Sequence, residues 1–286
     1  NRPHIKFYKM KRPILLLLFI TFFFETYSQS QLNFDGYQDH VILNGVDFPP
    51  PWTAEVLVLK NEIGAYSHLL TGTDGTSGFR LEQYINNNRI GITSAGIADW
   101  SFSYELPLGE WTHLAFVCDG STMKLFVNGQ QTGGNINGTI NFPMGMIGLN
   151  TTGAGALNSK IDELRIWNEA LPVSSISSYM LDSIPNNHPQ IDNLVHYYRF
   201  DEGSGNIATD TKGNLDGEII GATYCPIFNN DVAPVALVSP QPFVGVFSSN
   251  TTVNVKISNT GLTTINEDFE VSYSVDGGNF WRYSNR

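Results

Sequence analysis

The dipeptide Asn128-Gly129 constrains this chain more than any other feature. Residues 123–127 (Met-Lys-Leu-Phe-Val) run into it, and the preceding apolar run, Trp111–Cys118, runs into Asp119-Gly120. A tight hairpin turn needs positive φ at its central positions, which Asn, Asp and Gly tolerate. Two successive apolar runs, each closed by such a pair, predict antiparallel strands. The rhythm continues on both sides. Residues 32–35 alternate and turn at Gly36, and residues 53–59 form a β-branched and apolar run entered through three prolines, 49–51. Residues 161–167 and 194–200 read as further strands. Turn signals recur every ~10 residues, the spacing of a β-sandwich. Residues 171–184 alone read as helix, with Pro172 near the start and Leu171, Ile176, Met180 and Ile184 apolar; residues 185–189 read as a linker.

Composition narrows the function classes. Only 15% of the 286 residues are charged, and the net charge is −11. Phosphate binding needs clustered Lys and Arg, so a nucleic-acid partner is excluded. Two cysteines cannot build a disulfide framework or a four-thiolate zinc site.

The ends differ from the middle. Residues 14–24 are an apolar run behind Lys9, Lys11 and Arg12, the pattern of a secretory signal peptide. The run is too short for the ~20 residues that span a bilayer. Met10 is the natural start, and cleavage after Ser28 or Ser30 fits the small residue needed there. Residues 1–30 are therefore read as upstream sequence and signal peptide. Their removal leaves a secreted or cell-surface chain near −15. After a linker at 229–234 the character changes. Residues 252–257 and 269–275 alternate around turns, as in the start of a second, truncated sandwich over 235–286.

Four phrases carry a family resemblance. Residues 31–41 (Gln-Leu-Asn-Phe-Asp-Gly-Tyr-Gln-Asp-His-Val) resemble the opening strand pair of laminin-G-like, concanavalin A-like jelly-roll domains. Residues 111–129 resemble their central hairpin, 160–171 (Lys-Ile-Asp-Glu-Leu-Arg-Ile-Trp-Asn-Glu-Ala-Leu) a late strand and following helix, and 194–203 the closing segment. The order is right over 31–228. The resemblance implies an all-β, two-sheet antiparallel jelly-roll sandwich in a secreted or surface protein. It further implies a non-catalytic module that binds an extracellular glycan or glycoprotein, or an accessory carbohydrate-binding part of a larger secreted glycoside hydrolase. Residues 253–278 resemble the first half of an immunoglobulin-like adhesion repeat.

Hydrolases on this scaffold place two carboxylates ~5 to 10 Å apart across the scissile bond. In a related hydrolase family they come from a strand of the form Glu-x-Asp-x-x-Glu. Here the nearest stretch carries Lys160 and Arg165 at the two outer positions, so catalysis is not expected. The family often binds one structural calcium ion at a sandwich rim. Strict alternation puts Asp162 on the apolar face with Leu164 and Ile166, where a carboxylate must be paired or coordinated. Asp162 and Asp35 are thus the candidate metal ligands, and oxygen-only ligation suits calcium. The alternative is that both only accept turn N–H bonds. Residues 210–217 read as a turn, because Lys212 occupies a ligand position of a calcium loop. Trp52, Trp111 and Trp167 fall at family core positions, and His113 reads as a hydrogen-bonded sandwich histidine. Trp100 and Tyr66 lie in less regular segments and are the candidate platforms for a sugar ring. Export permits a disulfide between Cys118 and Cys225, provided the fold brings them together.

Overall fold

In the computed structural model, the described residues are 30–63, 66–83 and 88–226, with the backbone course of four later strands. The signal peptide read at 1–30 lies outside them except for Ser30. The strands, in chain order, are β1 (Ser30–Asp35), β2 (His40–Ile42), β3 (Trp52–Lys60), β4 (His68–Thr71), β5 (Gly78–Arg80), β6 (Arg89–Ser94), β7 (Ala98–Glu105) and β8 (Trp111–Cys118). There follow β9 (Thr122–Val127), β10 (Gln130–Asn137), β11 (Met146–Ile147), β12 (Asn158–Trp167), β13 (Leu194–Tyr198), β14 (Ile207–Ala208), β15 (Gly217–Ile220) and β16 (Thr223–Pro226). They form two antiparallel sheets. The first has the order β10-β9-β8-β3-β12-β1-β16, with β13 also paired to β12; the second has the order β14-β15-β2-β11-β4-β5-β6-β7. This is the expected two-sheet sandwich.

Alternation builds the core. In β3, Ala54, Val56 and Val58 face the second sheet, and in β8 so do Leu114, Phe116 and Cys118. The two sheets meet on a stack of rings. Phe79 of β5 lies 4.7 Å from Phe116 of β8, and Trp52 lies 5.3 Å from Phe79. The indole of Trp52 donates to the carbonyl of Ile140 at 2.9 Å, so its one polar atom is satisfied in the interior. The hairpin between β9 and β10 turns on Asn128 and Gly129, with φ of 46° and 75°. Trp52 and Trp167 are fully buried, as expected; Trp111, at the first position of β8, is only half-buried.

The second half of β12 departs from simple alternation. Its register against β3 shifts between Asp162 and Arg165, because one extra residue is accommodated around Glu163, whose φ is 51°. Such a bulge resets the phase of the strand. Ile161 and Leu164 both enter the core. Asp162 stands across from Leu57, on the outer face. The expected placement of Asp162 beside Leu164 and Ile166 is therefore corrected.

The outer face of the first sheet is covered by residues 168–193. The helix, α1 (Val173–Tyr179), is shorter than expected. Four of its seven residues are serines, which favour helix ends over interiors. The guanidinium of buried Arg165 takes the carbonyls of Tyr179 and Asp182, satisfying the chain where the helix stops. The stretch read as a linker is packed: His188 is buried, with its ring 4.9 Å from Trp167 and 4.4 Å from Tyr179.

The proposed cysteine pair is excluded by topology. Cys118 is in β8 and Cys225 in β16, four strand spacings apart in one sheet. At ~4.8 Å per spacing that is about 19 Å, against the ~7 Å limit for a disulfide. Both thiols are free. Beyond residue 231, β17 (Val232–Ser239) pairs with β18 (Asn254–Asn259), and β19 (Glu270–Val275) with β20 (Asn279–Ser284). The first of these strands begins inside the segment read as a linker. The connections that would define an immunoglobulin-like repeat lie outside the described residues.

Candidate functional site at the sandwich rim

Three segments meet at one end of the sandwich: residues 36–38 after β1, residues 61–63 and 66–67 between β3 and β4, and residues 150–157 before β12. Between them lies an open depression of about 330 Å³, lined by Tyr37, Tyr66, Gln38, Glu62 and Asn158 among others. Tyr37 is 78% exposed and Tyr66 37%. The loops hold these side chains outward through left-handed backbone. Gly36, Gln38, Tyr66, Gly153 and Gly155 have φ between 54° and 86°. For Gln38 and Tyr66 this conformation is costly and must be held by its surroundings. Asp35 helps at one side: its carboxylate accepts the N–H of Tyr37 at 2.7 Å. The N–H of Asp35 in turn donates to Asp39 at 2.9 Å. Burial pushes the Asp39 carboxyl up, against the pull of that hydrogen bond.

Tyr66 rests on a buried polar scaffold. Arg80 of β5, 6% exposed, donates from Nη1 to the Tyr66 carbonyl at 3.3 Å and from Nε to Thr93 at 2.7 Å. The same Nη1 lies 2.5 Å from Nε2 of His68, whose Nδ1 meets the Thr71 hydroxyl at 3.0 Å. Burial, and then the Arg80 charge, hold His68 down at about 3, so it is neutral and Nε2 is the acceptor. Next to Tyr66, the Ser67 hydroxyl donates to Glu82, which pairs with Lys60 at 2.5 Å. Gly155 closes over this scaffold. A Cβ there would come within 2.4 Å of the His68 ring and 2.6 Å of the Tyr66 carbonyl.

Of the four residues chosen from sequence, the fold brings two to this rim. Tyr66 lines the depression and Asp35 borders it. Trp100 does not belong to it: on β7 opposite Ile92, its ring packs against the sandwich core, and Gly138 approaches it closely. Asp162 is also elsewhere. Asp35 pairs with Asn158 across the β1–β12 ladder, four residues from Asp162, or roughly 13 Å. The two carboxylates do not fit one calcium ion. Among the described residues no group of three or more His, Cys, Asp or Glu is placed to hold a metal. Sequence reasoning missed Tyr37, Gln38 and Asn158. The signal for Tyr37 was present in Asp35-Gly36-Tyr37, an aromatic lifted out of a strand by a turn. Asn158 arrives from 120 positions later and gave no local sign. Residues 210–217 are the turn they were read as, with Asp210 accepting the N–H groups of Lys212, Gly213 and Leu215.

The remaining carboxylates on the first sheet are under cover. Glu163 pairs with Arg165 at 2.7 Å and accepts the Tyr197 hydroxyl, beneath residues 168–193. Glu55 accepts from the indole of Trp167 at 2.8 Å. Burial pushes Glu55 up, but His113, Arg165 and Trp167 outweigh it and the net direction is down. His113 is not the satisfied histidine expected from sequence. Its Nε2 lies 3.3 Å from Glu55 without hydrogen-bond alignment, and Nδ1 has no partner among the described residues.

Two antiparallel sheets packed face to face define a jelly-roll sandwich. The chain belongs to the concanavalin A-like lectin/glucanases superfamily, whose sequence profile matches residues 35–177. Among solved structures, it is similar to a candidate carbohydrate-binding protein from Bacteroides ovatus. They share 20% identity and a TM-score of 0.57 over 69% of this chain and 60% of that one. The chain thus spans about three-fifths of that relative's length, and the likeness is one of fold. Domain 4 of AbnA, a GH43 extracellular arabinanase from Geobacillus stearothermophilus solved with arabinotriose, is 20% identical. Its TM-score is 0.46, over 52% of this chain and 76% of that one. No curated protein sequence matches. Among the described residues, no helix is long and apolar enough to cross a membrane.

Proposed function

We propose that this chain is an exported, non-catalytic module that binds an extracellular glycan, or the glycan of a glycoprotein, at the rim between Tyr37 and Tyr66. The observation that carries this is the pair of exposed tyrosines lining one depression together with Gln38 and Asn158. A sugar's C–H face packs on an aromatic ring, while amides exchange hydrogen bonds with its hydroxyls. At about 330 Å³ the depression suits one or two sugar rings rather than a long chain segment. Affinity is then micromolar to millimolar, ~4 to 8 kcal/mol.

The test is a glycan array probed with the full chain, followed by titration of the best ligand. Tyr37→Ala and Tyr66→Ala should each weaken binding at least several-fold, with the melting temperature unchanged in the first and lowered by no more than a few degrees in the second. Undiminished binding by the double variant would remove the rim from the account. Release of reducing sugar from β-glucans by the purified chain would replace the binding reading with an enzymatic one.

A further inference from the structure

We infer that the rim depression prefers glycans bearing a free, protonated amino group, an inference that rests on the rim being the glycan site. Glu62 lines the depression, is exposed, and has no hydrogen-bond or ion-pair partner among the described residues. Asp35 stands at its border, its carboxylate accepting the Tyr37 N–H and facing the Asp39 carboxyl. Among the described residues, no Lys, Arg or His lines the depression. Two neighbouring cations are sequestered: Lys60 is 2% exposed and paired with Glu82, and Arg80 is turned to His68, Thr93 and the Tyr66 carbonyl; His40, behind Gln38, has its Nδ1 on the Gln38 carbonyl at 2.7 Å. A cationic ligand therefore meets a free carboxylate and the π faces of Tyr37 and Tyr66, with no competing positive charge in the lining. An anionic sugar meets the same carboxylate as repulsion. The chain's net charge of −11 biases the approach the same way.

The size of the effect follows from the exposure of its parts. A solvent-exposed ion pair and a solvent-exposed cation–π contact are both weak, and together they amount to about a 3- to 10-fold preference. The preference is electrostatic and fades with salt, whereas packing on the tyrosines does not.

The experiment compares three oligosaccharides of equal length: β-1,4-linked glucosamine, its N-acetylated form, and the corresponding glucose oligomer. Each is titrated into the full chain at mildly acid pH, where the amine is charged. The expected result is 3- to 10-fold tighter binding of the amine than of either neutral oligomer, a margin lost at high salt and in Glu62→Gln. Equal affinity for the free and acetylated amines overturns the inference, as does a preference that survives Glu62→Gln. Oligolysine binding as tightly as the amino sugar also overturns it, by making the ligand a basic peptide. Failure of all three sugars to bind would instead sink the glycan site itself.

Discussion

The Nη1 of Arg80 donates to the carbonyl oxygen of Tyr66 at 3.3 Å, and so ties an exposed tyrosine to the buried interior of the second sheet. Tyr66 has a φ of 54°, which a tyrosine does not keep without support. Exposed ring and buried anchor therefore separate two kinds of loss. Tyr66→Ala should cost no more than about 1 kcal/mol, since the side chain is only partly buried. Arg80→Met should cost about 2 kcal/mol, because it removes the donor from the Tyr66 carbonyl and from the buried Nε2 of His68. It should also weaken glycan binding by releasing the loop. Chemical denaturation with parallel ligand titration reads both, and a fully stable Arg80→Met protein would contradict the anchoring role.

His68 predicts acid sensitivity. Its folded-state value, about 3, lies below the ordinary histidine value of 6.5. Between those values the unfolded chain binds the extra proton, so stability rises with pH across the window. It is fully present above about pH 6.5 and is lost as pH falls toward 3. At pH 4.5 the loss from this residue should be roughly 2 kcal/mol. Denaturation curves at pH 7 and 4.5 should show it, and His68→Gln should flatten the dependence.

Asp162 predicts the opposite slope. Burial, then the charges of Glu163 and Asp201, raise its carboxyl well above the ordinary value. The folded chain holds the proton longer than the unfolded one, so this residue's contribution to stability declines as pH rises through that range. Asp162→Asn keeps an acceptor for the Glu163 N–H, a bond of 2.9 Å. The variant should be more stable than the parent at neutral pH, on the order of 1 kcal/mol. The gain should vanish below about pH 4. It should leave any response to calcium untouched, because Asp162 and Asp35 do not converge.

Trp100→Ala should behave as a packing mutation. The ring lies against the core and against Gly138. Half-burial places the cost below the ~3 to 5 kcal/mol of a fully buried tryptophan, the range expected for Trp52→Ala. Ligand affinity, corrected for the folded fraction, should not change. A selective loss of binding would return Trp100 to the site.

Thiol counting offers a simple check on the sheet order. After denaturation without reductant, Cys118 and Cys225 should both react, at two thiols per chain. A zero count would require β8 and β16 to approach within disulfide distance, which the order of the first sheet forbids.

The sequence by itself determined the strands, because each is written in a local pattern: alternation along β3 and β8, and positive-φ residues at Asn128-Gly129. Period and turn chemistry act over a few residues, so they survive being read without a fold. Four such segments in order were also enough for the family. What tertiary structure decided was everything that depends on phase or distance. One extra residue at Glu163 turned Asp162 from the core face to the outer face, and neither its occurrence nor its place is encoded in hydropathy. Tyr37 and Asn158 became neighbours of Tyr66 only because β1, β4 and β12 end at the same rim. Trp100 was removed from that rim by the strand that carries it, since facing the core or solvent depends on which sheet lies opposite. A side chain's chemistry is local, but what it can bind depends on which distant residues the topology sets beside it.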